Sequence, residues 1–161
     1  MIIRDEGPRD ADDIRSFVSA AFGRADEATL IDDLRSAGDL AISLVAVDGG
    51  VLIGHVAFSP VRAPFRALAL GPVAVEPTQQ GKGVGSGLIR EGLRRAIAAG
   101  VVAVFVLGDP GYYQRFGFSV ERAAGFSSPY AGAHFMILTL SAALPVLHGR
   151  IDHASAFQHL P

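Results

Sequence analysis

A chain of 161 residues is long enough to bury a real core and is most simply one domain. Half of its residues are apolar and 19% are charged, which excludes disorder, and a formal net charge of -2 leaves no basic field for nucleic acid. With no cysteine, disulfide frameworks, thiolate zinc sites and a cysteine nucleophile are excluded together.

The opening Met1 to Pro8 lacks the apolar core of a signal peptide, and no apolar run approaches the ~20 residues of a membrane span, so a cytoplasmic protein without a membrane partner is expected. Ile2 and Ile3 make a short apolar start. Ile14, Phe17, Val18, Ala21 and Phe22 then recur at helical spacing within Arg9 to Phe22. Leu30, Ile31 and Leu34 do so within Glu27 to Ala37, where Gly38 supplies a stop. Leu40 to Val47 and Val51 to Phe58 are rich in β-favouring residues and flank Asp48-Gly49-Gly50, a hairpin signal that predicts antiparallel neighbours. Ala67 to Val75 reads as a third strand, with Pro72 predicting a bulge or a missing ladder bond inside it.

Val84, Leu88, Ile89, Leu93, Ala96 and Ile97 form the apolar stripe of a helix that Gly100 ends. Val101 to Leu107 is apolar throughout, as in a strand buried on both faces, so strand, helix and strand make a βαβ unit with a right-handed crossover. A helical turn near Pro110 to Phe116, a strand around Phe118 to Arg122 and another at Phe135 to Leu140 complete the predicted core. The tail from Leu144 adds a strand and a short helix, and no repeat or linker divides the chain.

Between the third strand and its helix stands Val73-Ala74-Val75-Glu76-Pro77-Thr78-Gln79-Gln80-Gly81-Lys82-Gly83-Val84-Gly85-Ser86-Gly87. Free backbone N–H groups at a helix start, with the positive end of the helix dipole, suit a phosphate-like anion, and glycines remove the side chains that would keep it away. Lys82 adds a mobile positive charge. Spacing decides among phosphate motifs. A P-loop needs a glycine where Glu76 stands and a Ser or Thr after Lys82, where Gly83 stands. The dinucleotide fingerprint needs a glycine at the sixth place, which is Ser86 counted from Gly81 and Leu88 counted from Gly83. Both fail. A glycine turn that only packs tightly is the structural alternative.

Gln80-Gly81-Lys82-Gly83-Val84-Gly85 resembles the Gln/Arg-x-x-Gly-x-Gly/Ala pyrophosphate loop of the GNAT family of N-acetyltransferases, and Gly108-Asp109-Pro110-Gly111-Tyr112-Tyr113-Gln114-Arg115-Phe116-Gly117-Phe118 is similar to its Tyr-x-x-x-Gly-Phe signature. The Gly-Asp-Pro-x-Tyr-Tyr form resembles a subgroup of predicted acetyltransferases. Similarity in element order extends from Ile2 to Leu140. The resemblance implies an α/β (α+β) fold with a mixed central sheet of six to seven strands and helices on both faces. It also implies a transferase domain over residues 1–143, with 144–161 as an extension packed on it.

The resemblance further implies acetyl-CoA as co-substrate, with its pyrophosphate on Gln80, Gly81, Lys82, Gly83, Val84 and Gly85, and with Ser86 assisting at the helix start. Val73, Ala74 and Val75 would bind the pantetheine arm along an unpaired strand edge. Tyr113 would be the general acid for the departing thiolate, since a phenol stays protonated near neutrality, and it would also contact the cofactor. The base is open among Glu76 beside the loop, His55 on the hairpin strand and Glu27 on the second helix; for each, a purely structural role competes. His55, Ala57 and Ser59 share one strand face by period two. His134, His148, His153 and His159 have no metal-ligand spacing, so no metal is expected.

The implied reaction is direct acetyl transfer to a primary amine of a small molecule or peptide. A non-catalytic acyl-CoA sensor and a protein-modifying acetyltransferase are the alternatives. Ala124 to Gly132 is expected in the acceptor wall. Dimerisation is common in the family, and the tail is available for a homodimer.

Overall fold

A computed structural model describes residues 1–160. In chain order the elements are β1 (Ile2–Asp5), α1 (Ala11–Phe22), α2 (Asp26–Ser36), β2 (Ile42–Asp48), β3 (Val51–Arg62), β4 (Ala67–Val75) and α3 (Val84–Ala98). There follow β5 (Ala103–Leu107), α4 (Pro110–Tyr113), α5 (Val120–Ala123), β6 (Phe126–Ser127), β7 (Phe135–Thr139), β8 (Gly149–Arg150) and β9 (Asp152–His153). A seven-stranded sheet runs β1-β2-β3-β4-β5-β7, with β9 on the far end of β3. Only β4 and β5 are parallel within it; the other pairs are antiparallel.

Period two along β3 sorts the core. Val56 and Phe58 pack with Leu88, Ile89 and Leu93 of α3, while Ala57 packs on the opposite face with Ile14 and Val18 of α1 and Ile31 of α2. Helices therefore cover both faces, and each fully buried aliphatic side chain contributes roughly 1.5–3 kcal/mol. Gly54 lets the start of α3 approach the sheet: a Cβ there would stand 2.8 Å from Leu88 Cδ1.

Two features of β4 position the site. Val56 faces Val73 and Phe58 faces Leu70, so Ala57 stands opposite both Gly71 and Pro72: the bulge expected at Pro72, which has no N–H to give a ladder, is present. The parallel pairing of β4 with β5 ends at Leu70 and Val106, where the bulge begins. Beyond that point the two strands separate.

The strand expected around Phe118 to Arg122 is not formed. Ser119 makes one isolated bridge with Ile137, and its hydroxyl accepts the N–H of Arg122 at 3.1 Å, starting the short helix α5 instead. After residue 144, β8 pairs with β6 and β9 with β3, and Ile151 between them is fully buried beside Phe105, Phe126 and Phe135.

Candidate active site

Val73, Ala74 and Val75 are laddered to β3, while the pairing of β4 with β5 has already stopped at Leu70. Their other edge offers main-chain groups to an extended ligand that would lie as an added strand. The loop that follows is held by Glu76, whose carboxylate accepts the Thr78 N–H at 2.8 Å and the Thr78 hydroxyl, fixing the turn Pro77–Gln79. Glu76 is thus engaged in shaping the loop and does not line the cavity described below.

Gly83 sits at φ 84°, a left-handed conformation that opens α3, and it has no side chain to cap the helix. The first intrahelical bond is from Gly87 N to Gly83 O, at 2.9 Å, so the N–H groups of Val84, Gly85 and Ser86 lie ahead of the ladder at the positive end of the dipole. Gly81 and Lys82 are exposed beside them. The donor set and the open approach fit a pyrophosphate.

Tyr113 ends α4, which Asp109 caps by accepting the Gly111 N–H at 3.0 Å. Gly108 makes room for the Tyr113 ring: a Cβ there would stand 2.5 Å from Tyr113 Cε2. Edge contacts with Tyr112 and Phe118, at centroid separations of 5.1 and 5.8 Å, fix the ring, and burial pushes its hydroxyl up to about 12. Tyr112 faces the other way, its hydroxyl 3.3 Å from Ser86 Oγ, tying α4 to the loop.

Where β4 and β5 part, a cavity of about 330 Å³ opens between α2 and the segment after β8. Pro72, Val73, Phe105 and Tyr113 line it from the fork, Phe22, Glu27 and Leu30 from the helices, and Tyr130, His153 and Phe157 from the later chain. Glu27 is held by Arg24 through bonds of 2.9 and 2.5 Å, and this pairing keeps its carboxyl below the usual range. His153 packs edge to face with Tyr130 at 4.9 Å and with Phe157 at 5.3 Å, and its Nδ1 is buried without a hydrogen-bond partner. Burial holds this imidazole below its ordinary value, against a weaker opposite pull from Asp152.

Of the expected acceptor wall, Tyr130 lines the cavity, whereas Phe126 and Ser127 are committed to pairing with β8. His153 had no signal in local spacing; β9 pairing brings it to the site from a distant part of the chain. His55 lies elsewhere. It is fully buried in β3 and does not line the cavity, and its ring bonds through Nε2 to Ser43 Oγ at 2.8 Å. Among the described residues no group of three or more His, Asp or Glu side chains is placed to hold a metal ion, and no helix is long and apolar enough to cross a membrane.

Residues 3–120 match the family model of the GNAT acetyltransferase domain. An uncharacterized N-acetyltransferase of Escherichia coli, YhbS, is 42% identical over 124 residues, 74% of each chain. A crystal structure of YhbS from Escherichia coli in complex with CoA superposes with a TM-score of 0.92 at 34% identity, covering 99% of this chain and 93% of that one. A GNAT family acetyltransferase from Brucella melitensis in complex with acetyl-CoA gives 0.83 at 39% identity, covering 97% of both. With the glycine loop, the forked sheet and these similarities together, the chain belongs to the GNAT family of N-acetyltransferases.

Proposed function

We propose that this protein transfers the acetyl group of acetyl-CoA directly to the primary amine of a small molecule. The observation that carries this proposal is the open edge of Val73, Ala74 and Val75 leading into the uncapped start of α3. The CoA and acetyl-CoA complexes of the two similar structures support it. In this assignment Gln80, Gly81, Lys82, Gly83, Val84, Gly85 and Ser86 hold the pyrophosphate, and the edge of β4 holds the pantetheine.

Chemistry then falls to the cavity. The acceptor ammonium first loses a proton, and its nitrogen adds to the acetyl carbon while a main-chain N–H near Val75 stabilises the oxyanion. The C–S bond breaks as the intermediate collapses and the nitrogen sheds its second proton. Tyr113 donates to the departing thiolate and recovers a proton from solvent, so the products are an amide, a thiol and one released proton. At neutral pH Tyr113 is fully protonated, and its hydrogen bond stabilises a thiolate in a site as desolvated as itself. We assign proton acceptance to His153, which is kept neutral by burial and lies in the cavity wall, rather than to His55 or Glu76, which do not.

Residues 1–143 would form the transferase domain and 144–161 an extension packed on it, with Pro161 outside the described residues; the burial of Ile151 against β5 and β7 supports the packing. The absence of cysteine is compatible with a cytoplasmic location.

Thermal unfolding with acetyl-CoA, coenzyme A, ATP and NAD at matched concentrations tests the assignment. A ligand at 100 times its Kd stabilises by about 2.7 kcal/mol, which raises Tm by roughly 5–10 °C here. A shift with the two coenzyme A species alone is expected; no such shift, or a larger one with ATP or NAD, overturns it.

A further inference from the structure

The polar groups around the cavity restrict what the acceptor can be. Among the described residues no lysine or arginine lines it. An acceptor carrying a carboxylate beside its amine would find no cation in the lining to pair that charge as its body leaves water. Among the described residues Glu27 is the one acid in the lining, and Arg24 already bonds to both of its oxygens. A polycation would bring several ammonium groups to a single, shared carboxylate.

What remains is apolar surface. Phe22, Leu30, Pro72, Phe105, Tyr130 and Phe157 surround the space, and the edge-to-face row Tyr130–His153–Phe157 adds aromatic surface to one wall. A volume of about 330 Å³ stands at the small end of ligand sites, and the acetyl end of the thioester must share it.

We propose that the acceptor is a monoamine with an uncharged apolar body, of the arylalkyl or branched-alkyl type, seated between α2 and the Tyr130–His153–Phe157 row. This rests on the acetyl-transfer assignment above. The same lining assists the reaction: desolvation disfavours the ammonium form, so an apolar cavity delivers more of the neutral nucleophile than water does. An acceptor of this class has its reactive nitrogen as its only charged group, which leaves one orientation that buries the body and presents the amine to the thioester.

The test is coenzyme A release by the whole protein with four probes: 2-phenylethylamine, 3-methylbutylamine, L-phenylalanine and the polycation kanamycin. L-Phenylalanine is 2-phenylethylamine with a carboxylate added, so the pair isolates that charge. We expect kcat/KM for 2-phenylethylamine to exceed that for L-phenylalanine and for kanamycin by at least about 100-fold, with 3-methylbutylamine in between. Phe22 is 39% exposed at the end of α1, so Phe22→Arg tolerates folding and places a cation at the rim. It should narrow the 2-phenylethylamine to L-phenylalanine ratio by about tenfold without changing the KM for acetyl-CoA.

Turnover that favours L-phenylalanine or kanamycin overturns the acceptor class and leaves acetyl transfer standing. An unchanged ratio in Phe22→Arg also counts against it. Absence of turnover with every amine, in protein that coenzyme A stabilises, overturns acetyl transfer to amines and the acceptor class together.

Discussion

The two ends of α2 border two regions, one polar and one apolar, that differ in what they leave open. At its C-terminal end Arg35 makes two bonds of 2.8 Å to Glu6, Ser43 donates to Glu6 at 2.6 Å, and His55 Nε2 contacts Ser43 Oγ. Because the Ser43 proton goes to Glu6, the ring must donate there, which fixes the Nε2–H tautomer. The groove beside Arg35 is larger than the fork cavity, about 470 Å³ against 330 Å³. Its charges nevertheless answer one another: Glu6 pairs with Arg35, and Asp5 with Arg95. At the N-terminal end of α2, Glu27 faces an apolar cavity in which Tyr113 and His153 make no side-chain hydrogen bonds among the described residues. Size does not separate the two regions by use of their polar groups; the smaller one is where Tyr113 and His153 stand without side-chain partners among the described residues.

The largest effect that would sharpen the contrast is at Tyr113. Tyr113→Phe should lower kcat by roughly 100- to 10,000-fold, about 3–5 kcal/mol of barrier, while the coenzyme A thermal shift is retained. A near-normal kcat in steady-state assays would remove Tyr113 from the chemistry and break the comparison at its functional end.

Next in size is a pH effect at the other end. Burial is the main cause of the depressed His55 pKa, with Arg35 adding to it and Glu6 opposing, and the ring is held at about 4 against an ordinary ~6.5. The folded state thus binds fewer protons than the unfolded one between these values. Stability is full above pH 6.5 and declines as pH falls towards 4, by roughly 3 kcal/mol over the whole window. Denaturant titrations between pH 7 and 5 read this part together with that of His153, whose imidazole is also held below its ordinary value by burial. Burial works against the Glu6 carboxylate, but hydrogen bonds from Arg35 and Ser43 hold it below its usual range, so its contribution is lost only at lower pH. His55→Gln should flatten the pH 7 to 5 slope; a slope that persists would assign it to other groups.

The smallest expected effect is at Arg35, which is 26% exposed and screened accordingly. Arg35→Met should cost about 1 kcal/mol, seen as a fall in Tm of roughly 2–4 °C, with kcat unchanged. A change in kcat would mean that the two ends of α2 are coupled.

The contrast also explains what the sequence could disclose. The glycine loop, the helix after it and the bulge at Pro72 were legible because each depends on neighbours in the chain. Period two also placed His55, Ala57 and Ser59 on one face. It could not reveal that α1 and α2 seal the part of that face where Ala57 lies, which depends on packing between distant elements. His153 was invisible for the same reason, since only its ladder with Val61 of β3 carries it to the cavity wall. The strand expected at Phe118 to Arg122 failed on a local competition: Ser119 captured a backbone N–H that a strand would have left for its neighbour.

The surplus residue in β4 has a consequence for how such a site is gained or lost. Before the bulge Leu68 and Leu70 pack on the α3 side, and after it Val73 and Val75 do, so the strand changes from even to odd numbering without turning its apolar face outward. Removing one residue at Gly71 would restore an unbroken alternation and keep every one of these contacts. The α3-side packing keeps the same apolar face on both sides of that residue, and the opening between β4 and β5 begins where it is inserted, close to the end of β5 at Leu107. Single substitutions cannot alter this count, so the register of β4 on either side of Gly71 changes only when a residue is inserted or deleted there.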